Sequence, residues 1–147
     1  MKERVTVLDA CAVLALLTAQ AAAVEIRRLL EGGEATLTAL GVAEVVDHLV
    51  RRVGASDEDA ALDIAALGLA DPHPLDAELA MRAGLLRSSH YHRRSRAVGL
   101  ADCVVAETAR RIGSPAATSD PHLLDMCRDE GIEVVALRDT RGNSWSP

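Results

Sequence analysis

The stretch Val5-Thr6-Val7-Leu8-Asp9-Ala10-Cys11-Ala12-Val13-Leu14-Ala15-Leu16-Leu17 decides the fold of this chain. Val5 to Leu8 is short, apolar and β-branched, which predicts a buried strand. Ala10 to Leu17 is rich in Ala and Leu and apolar throughout, which predicts a buried helix. One ionisable residue, Asp9, stands between them. A strand that runs straight into a helix is the first half of a βαβ unit and favours a parallel sheet with helices on both faces. Ligands of such sheets bind outside the carboxyl ends of the strands, and Asp9 lies at that end. Taken alone, Asp9 is expected to cap the helix, because Asp is favoured at N-caps and its charge suits the helix N-terminus.

The alternation continues outward. Ala21–Glu31 has helical spacing and is stopped by Gly32-Gly33. Ala35–Thr38 predicts a second strand and Gly41–Val53 a helix. Ser56 or Asp57 caps the next helix, which ends near Gly68. Leu69–Leu75 holds Pro72 and Pro74, so any strand there is short and near an edge. Asp76 caps a helix that runs through Leu86, and the chain turns polar and basic from Arg87 to Arg96. Leu100–Ile112 predicts a helix, Pro115–Thr118 a strand, Asp120–Glu130 a helix and Glu133–Leu137 a last strand. There are no repeats and no internal boundary. The expectation is one domain over residues 1–140, an α/β/α sandwich of three layers around a central, mainly parallel sheet. Residues 141–147 are expected to be a flexible tail with little reason to fold.

Composition narrows the chemistry. At 147 residues the chain is long enough for a real core. It has no Phe, one Tyr and one Trp, so Leu, Val, Ile and Ala fill that core, and Tyr91 and Trp145 are the only candidates for stacking on nucleic-acid bases. A net charge of −6 argues against a protein that coats nucleic acid, though not against a nuclease. Cys11, Cys103 and Cys127 are scattered in apolar helical contexts without CxxC spacing, which predicts buried free thiols. No charged leader precedes a cleavable apolar run, and no segment reaches the length of a membrane span. A soluble, cytoplasmic protein without membrane contact is expected. GxGxxG, GxxxxGK and GxSxG are absent. Asp9 lacks the second Asp of a DxD phosphatase loop. Glu44 and His48 lie one turn apart without an HExxH motif, so His48 is expected on the helix surface.

Four acidic residues keep unusual company. Asp9 follows the first strand. Glu44 interrupts Val42-Ala43-Glu44-Val45-Val46 in the first turn of its predicted helix. Asp102 interrupts Leu100-Ala101-Asp102-Cys103-Val104-Val105-Ala106, and Asp120 follows the strand that ends at Thr118. Each has a structural use: Asp120 before Pro121 is a complete helix start, and Glu44 and Asp102 suit the helix dipole. Together they say more. In a parallel sheet the strand-to-helix junctions face one edge, so the four carboxylates converge and repel unless a divalent cation neutralises them. Mg²⁺ takes such oxygen ligands, keeps several waters and is held by a few carboxylates plus substrate phosphate.

Leu8-Asp9-Ala10 after the leading strand, Ala43-Glu44-Val45, Leu100–Ala106 and Thr118-Ser119-Asp120, in this order, resemble the PIN-domain nucleases. Size and motif context are most similar to the VapC ribonuclease toxins of type II toxin–antitoxin pairs, from Val5 to about Asp139. The chain departs from many relatives at Ala10, where Ser or Thr is common, and at His122 and Leu123. The resemblance implies a parallel sheet flanked by helices and a metal-binding, catalytic quartet of Asp9, Glu44, Asp102 and Asp120. It implies that Thr118 is a hydroxyl supporting the site, and that RNA is cleaved with Mg²⁺, for which Mn²⁺ substitutes. It also implies a homodimer and a small VapB-like antitoxin partner. The basic cluster Arg93, Arg94 and Arg96, placed before the Asp102 helix, is expected to contact the RNA backbone. Two other functions fit the same residues: a PIN-like domain that binds RNA or protein without cutting, and a Mg²⁺-dependent phosphatase on small molecules.

Overall fold

The computed structural model describes residues 5–32 and 35–147. They form four strands, β1 (Thr6–Leu8), β2 (Ala35–Leu37), β3 (Ala116–Thr118) and β4 (Val134–Ala136). The helices are α1 (Ala10–Leu17), α2 (Ala23–Glu31), α3 (Ala39–His48), α4 (Asp57–Ala65), α5 (Ala77–His90), α6 (Leu100–Ile112) and α7 (Pro121–Asp129). The sheet runs β2-β1-β3-β4 and every pairing is parallel. Its central strands, β1 and β3, are fully buried, as strands covered on both faces must be.

The two-residue period of a strand sorts the core into two layers. Val7 of β1, paired with Ala116, packs into a cluster with Leu86, Val98, Val105, Leu123 and Met126 from the α5, α6 and α7 side. Leu8, paired with Ala117 and Leu37, packs on the other face with Val13, Ile26, Val45 and Ala60 from α1 to α4. The expected α/β/α sandwich with a parallel sheet is the architecture found. Thr36 is the buried polar residue of β2, paired with Val7; its hydroxyl donates to the Ala70 carbonyl at 2.9 Å. Ala70 in turn bridges to the edge strand β2, which places the proline-bearing segment at an edge, as its composition requires.

Several boundaries differ from those read in the sequence. Helix α3 starts at Ala39, because Thr38 is its N-cap and accepts from the Gly41 N–H at 2.8 Å. Glu44 therefore sits in the second turn. After His48 the chain widens into a π-helical turn, Leu49–Val53, ended by Gly54 in the left-handed region at φ 83°. Gly32 follows α2 with helical dihedrals, and Gly33 lies outside the described residues. Helix α5 continues to His90, so the first part of the basic stretch is helical. In the terminal segment, Asp139 accepts from the N–H groups of Arg141 and Asn143, and the Trp145 indole donates to Asp125 Oδ1 at 2.8 Å. Among the described residues no helix is long and apolar enough to cross a membrane.

Candidate functional site

At the carboxyl edge of the sheet one crevice is lined by Asp9, Glu44, Asp102 and Asp120. Three of the four follow strands: Asp9 after β1, Glu44 on the helix after β2, and Asp120 after β3. Asp102 does not. No strand precedes α6, whose start is reached through the loop after α5, yet Asp102 at the third position of α6 meets the others at the same edge.

Asp9 occupies the N-cap position of α1, with φ −72° and ψ 151°, but its side chain makes no capping hydrogen bond. The carboxylate is only 6% exposed and turns into the crevice, where Oδ2 accepts from Thr118 Oγ1 at 2.8 Å and from Cys11 Sγ at 3.0 Å. The capping expected of Asp9 is therefore not what this side chain does. Thr118, fully buried at the end of β3, joins two carboxylates: it donates to Asp9 and accepts from the Asp120 N–H at 3.0 Å. Asp120 caps α7 as its Asp-Pro start predicts, with Oδ1 accepting from the His122 N–H at 2.9 Å. Asp102 Oδ2 accepts from the Gly99 N–H at 2.9 Å, one half of a capping box, since Gly99 has no side chain to return the bond.

The electrostatics are those of like charges with little water. Burial raises Asp9 above the ordinary carboxylate value, and Asp120 adds to the rise; the bonds from Cys11 and Thr118 pull the other way and lose. Asp102 is pushed up to about 7, first by burial and then by Asp9, with Asp120 and Glu44 contributing. Glu44, exposed on its outer side, is raised by partial desolvation and then by Asp9. Asp9, Glu44 and Asp120 each raise at least one other of the four. Among the described residues, no three His, Cys, Asp or Glu side chains are drawn close enough to hold a metal ion as they stand. The carboxylates of Asp9, Asp102 and Asp120 are engaged with Thr118, Cys11 and backbone N–H groups rather than with one another.

Cys11 was expected to be a buried structural thiol. Cys103 and Cys127 are buried, but Cys11 is half-exposed in the crevice wall. Burial, followed by the charge of Asp9, pushes its thiol up to about 12, so it remains an S–H donor. Its place one residue into α1 after Asp9 was the available signal, hidden by the apolar run around it. His48, expected on the helix surface, also lines the crevice, next to Asp47 and Arg51 on the α3 side.

The basic residues of the 91–98 loop stand outside this wall. Arg93 and Arg94 are exposed at the tip of a tight loop closed by reciprocal His92–Arg96 backbone bonds. Arg96 turns inward, 18% exposed, donating to Asp129 Oδ2 at 2.7 Å and to His90 Nδ1 at 2.9 Å. His90 Nε2 lies 2.8 Å from Glu130 Oε2, so Arg96 ties the loop to the end of α7.

A family model of the PIN domain matches residues 6–129. No curated protein matches the chain. Among solved structures, a chain of VapBC2 from Rickettsia felis, bound to a DNA fragment from their promoter, is similar in fold. Its TM-score is 0.66 at 13% identity, over 90% of this chain and 98% of that one. A chain of FitAcB from Neisseria gonorrhoeae gives a TM-score of 0.64 at 21% identity, over 88% of this chain and 95% of that one. The structural likeness is one of fold, and the family match covers most of the sequence together with the crevice that three of its strand ends build. This chain belongs to the PIN-domain family.

Proposed function

We propose that this protein is a metal-dependent endoribonuclease, the toxin of a type II toxin–antitoxin pair. The observation that carries the proposal is the crevice itself: four carboxylates from β1, α3, α6 and the start of α7 line one opening, with Asp102 raised to about 7. Such an arrangement is costly unless a cation neutralises it. The donor set fits a hard ion, since all four are carboxylates. Asp9, Glu44, Asp102 and Asp120 would hold Mg²⁺ or Mn²⁺, which polarises the phosphoryl oxygen and lowers the pKa of a bound water.

The remaining groups have positioning work. Thr118 and Cys11 both donate to Oδ2 of Asp9, which fixes the carboxylate in the crevice wall. The Gly99 N–H fixes Asp102, and Asp120 is held between Thr118 and the first turn of α7. Arg93 and Arg94 are exposed and in this reading contact the phosphate backbone. A small antitoxin whose Arg or Lys enters the acidic crevice would silence the site. The fold shared with chains of VapBC2 and FitAcB supports such a partner, and the proposal includes a homodimer acting in the cytoplasm.

The test is cleavage of a single-stranded RNA in Mg²⁺ or Mn²⁺ by the wild type, Asp9→Asn and Asp102→Asn. Activity in the wild type that is lost in both variants, with the fold retained, is the expected result. Full activity in either variant overturns the metal assignment. The spacing of the carboxylates, with no ready-made group of three, favours the second reading, a PIN-like domain that binds without cutting. A Mn²⁺ titration that leaves the melting temperature unchanged would select that reading.

A further inference from the structure

The crevice has five carboxylates in its wall, the four already described and Asp47. A phosphodiester approaching it meets repulsion from all five. Among the described residues of that wall there is a single guanidinium, Arg51. Its position is built by an unusual piece of backbone: it stands inside the π-helical turn Leu49–Val53, whose first residue, Leu49, is anchored in the core. Such turns are rare, and they recur at functional sites.

Arg51 is already holding an oxyanion. Its Nε donates to both oxygens of Asp47 at 3.2 Å, and its Nη2 donates to Oδ2 at 2.9 Å. This forked geometry is the one in which a guanidinium binds a phosphate. Both partners are largely exposed, 60% for Arg51 and 58% for Asp47, so the pair is weak and readily exchanged. Asp47 is also outnumbered: Arg51 holds its carboxyl below the usual range, with His48 and Arg52 adding to the effect. The rim of the crevice at the end of α3 therefore carries surplus positive charge beside an acidic interior.

We infer that Arg51 is the phosphate grip of the RNA-binding crevice, parked on Asp47 and transferred to a backbone phosphate of the strand when RNA enters. The inference rests on the ribonuclease reading and adds to it a residue that fixes the strand's position relative to the carboxylates. Arg93 and Arg94 meet the backbone outside the wall, whereas Arg51 meets it inside.

The experiment measures binding of a labelled 12-nucleotide single-stranded RNA by fluorescence anisotropy, in Mg²⁺, over a series of NaCl concentrations. Asp102→Asn serves as the parent, so that binding is observed without cleavage. Arg51→Gln, Arg51→Lys and Arg52→Gln are each added to it. Arg51→Gln is expected to weaken binding about tenfold and to flatten the slope of log affinity against log salt by roughly 0.7, the value of one single-strand phosphate contact. Arg51→Lys restores the slope, because the charge returns, and recovers the affinity only in part, because the fork does not. Arg52→Gln changes both quantities less than Arg51→Gln. Melting temperatures stay level, since an exposed pair contributes little to folding. An Arg51→Gln variant with unchanged affinity and slope overturns the inference, as do equal losses at Arg51 and Arg52. A parent that binds no RNA at any salt concentration instead overturns the ribonuclease reading itself.

Discussion

Thr118 shows how one hydroxyl sets the geometry of two carboxylates 111 positions apart in the sequence, Asp9 and Asp120. It has no exposed surface, its bonds to Asp9 and Asp120 are buried or nearly so, and Cys11 Sγ lies 3.6 Å from it. Thr118→Val keeps the shape and removes both bonds, so it is expected to cost about 1–3 kcal/mol. At roughly 2–4 °C per kcal/mol for a chain of this size, a thermal melt reads that directly. Divalent-ion affinity should fall as well, because Asp9 loses its firmest anchor. Asp102 makes the opposite kind of prediction. Its value is raised from 3.8 to about 7, so the folded state holds its proton more tightly than the unfolded state does. That contribution to stability is complete below about pH 4 and is lost as the pH rises through 7. The acids held low act in the opposite sense and lose their contribution as the pH falls: Asp129 and Glu130 through bonds from Arg96 and Arg110, and Asp76 first through the Leu79 N–H and then through Arg111. The metal-free protein should therefore melt at a lower temperature at pH 8 than at pH 5, and Asp102→Asn should flatten the profile. Its amide keeps an oxygen for the Gly99 N–H. The four acids were legible in the sequence because each interrupts an apolar run or opens a helix. What Asp9 does was not legible, because a cap and a crevice ligand occupy the same position and only the side-chain rotation separates them.

At the scale of elements, the sequence is informative wherever an apolar run has clear ends. Helix α6 was read to its observed limits, Leu100–Ile112, because Gly99 precedes an apolar start and Gly113 follows in the left-handed region. Helix α3 was read two residues short at its start. Thr38 belongs to the β-branched pattern of β2 and also serves as the N-cap, and composition does not choose between these uses. The π turn after His48 had no signal, since Leu49–Val53 contains neither Gly nor Pro and continues the helical pattern. The Trp145 contact with Asp125 was invisible for a different reason, being a meeting of two surface residues 20 positions apart with no periodicity to announce it. The cap of α3 bears on the site through Glu44. Thr38→Ala removes the acceptor for the Gly41 N–H and should cost about 1 kcal/mol, near the centre of the range for N-caps. Serine at this position should restore most of the loss. Adding a side chain at Gly41 is a harsher change, because a Cβ there would lie 3.1 Å from Thr38 Oγ1 and 3.3 Å from Leu37 Cδ2. A melt that separates Thr38→Ser from Thr38→Ala checks that the hydroxyl, not the shape, holds the start of α3.

At the scale of the whole molecule, the order β2-β1-β3-β4 places the buried strands β1 and β3 in the middle and their acidic carboxyl ends side by side. Asp9 and Asp120 are neighbours because β1 pairs with β3, and Glu44 is near because β2 pairs with β1 on its other side. The pairings are made by apolar residues and buried threonines, and only Thr118 among them bonds one of the charges they assemble. The metal-free fold thus bears an electrostatic cost concentrated at one edge, in a chain that already carries a net charge of −6. A ligand that binds only the folded state and removes that cost must raise stability in proportion to the logarithm of its concentration. Mg²⁺ or Mn²⁺ at one hundred times its dissociation constant should add about 2.7 kcal/mol. On a chain of this length that corresponds to a melting temperature higher by about 5–10 °C. EDTA should reverse the gain. Asp9→Asn should melt above the metal-free wild type at pH 8, since one of the repelling charges is gone, and should respond weakly to either ion. The two effects separate site binding from general screening: NaCl at matched ionic strength weakens repulsion in both proteins alike, whereas the divalent ion acts on the wild type alone. Equal responses to Mn²⁺ in wild type and Asp9→Asn would mean that the crevice does not hold the ion.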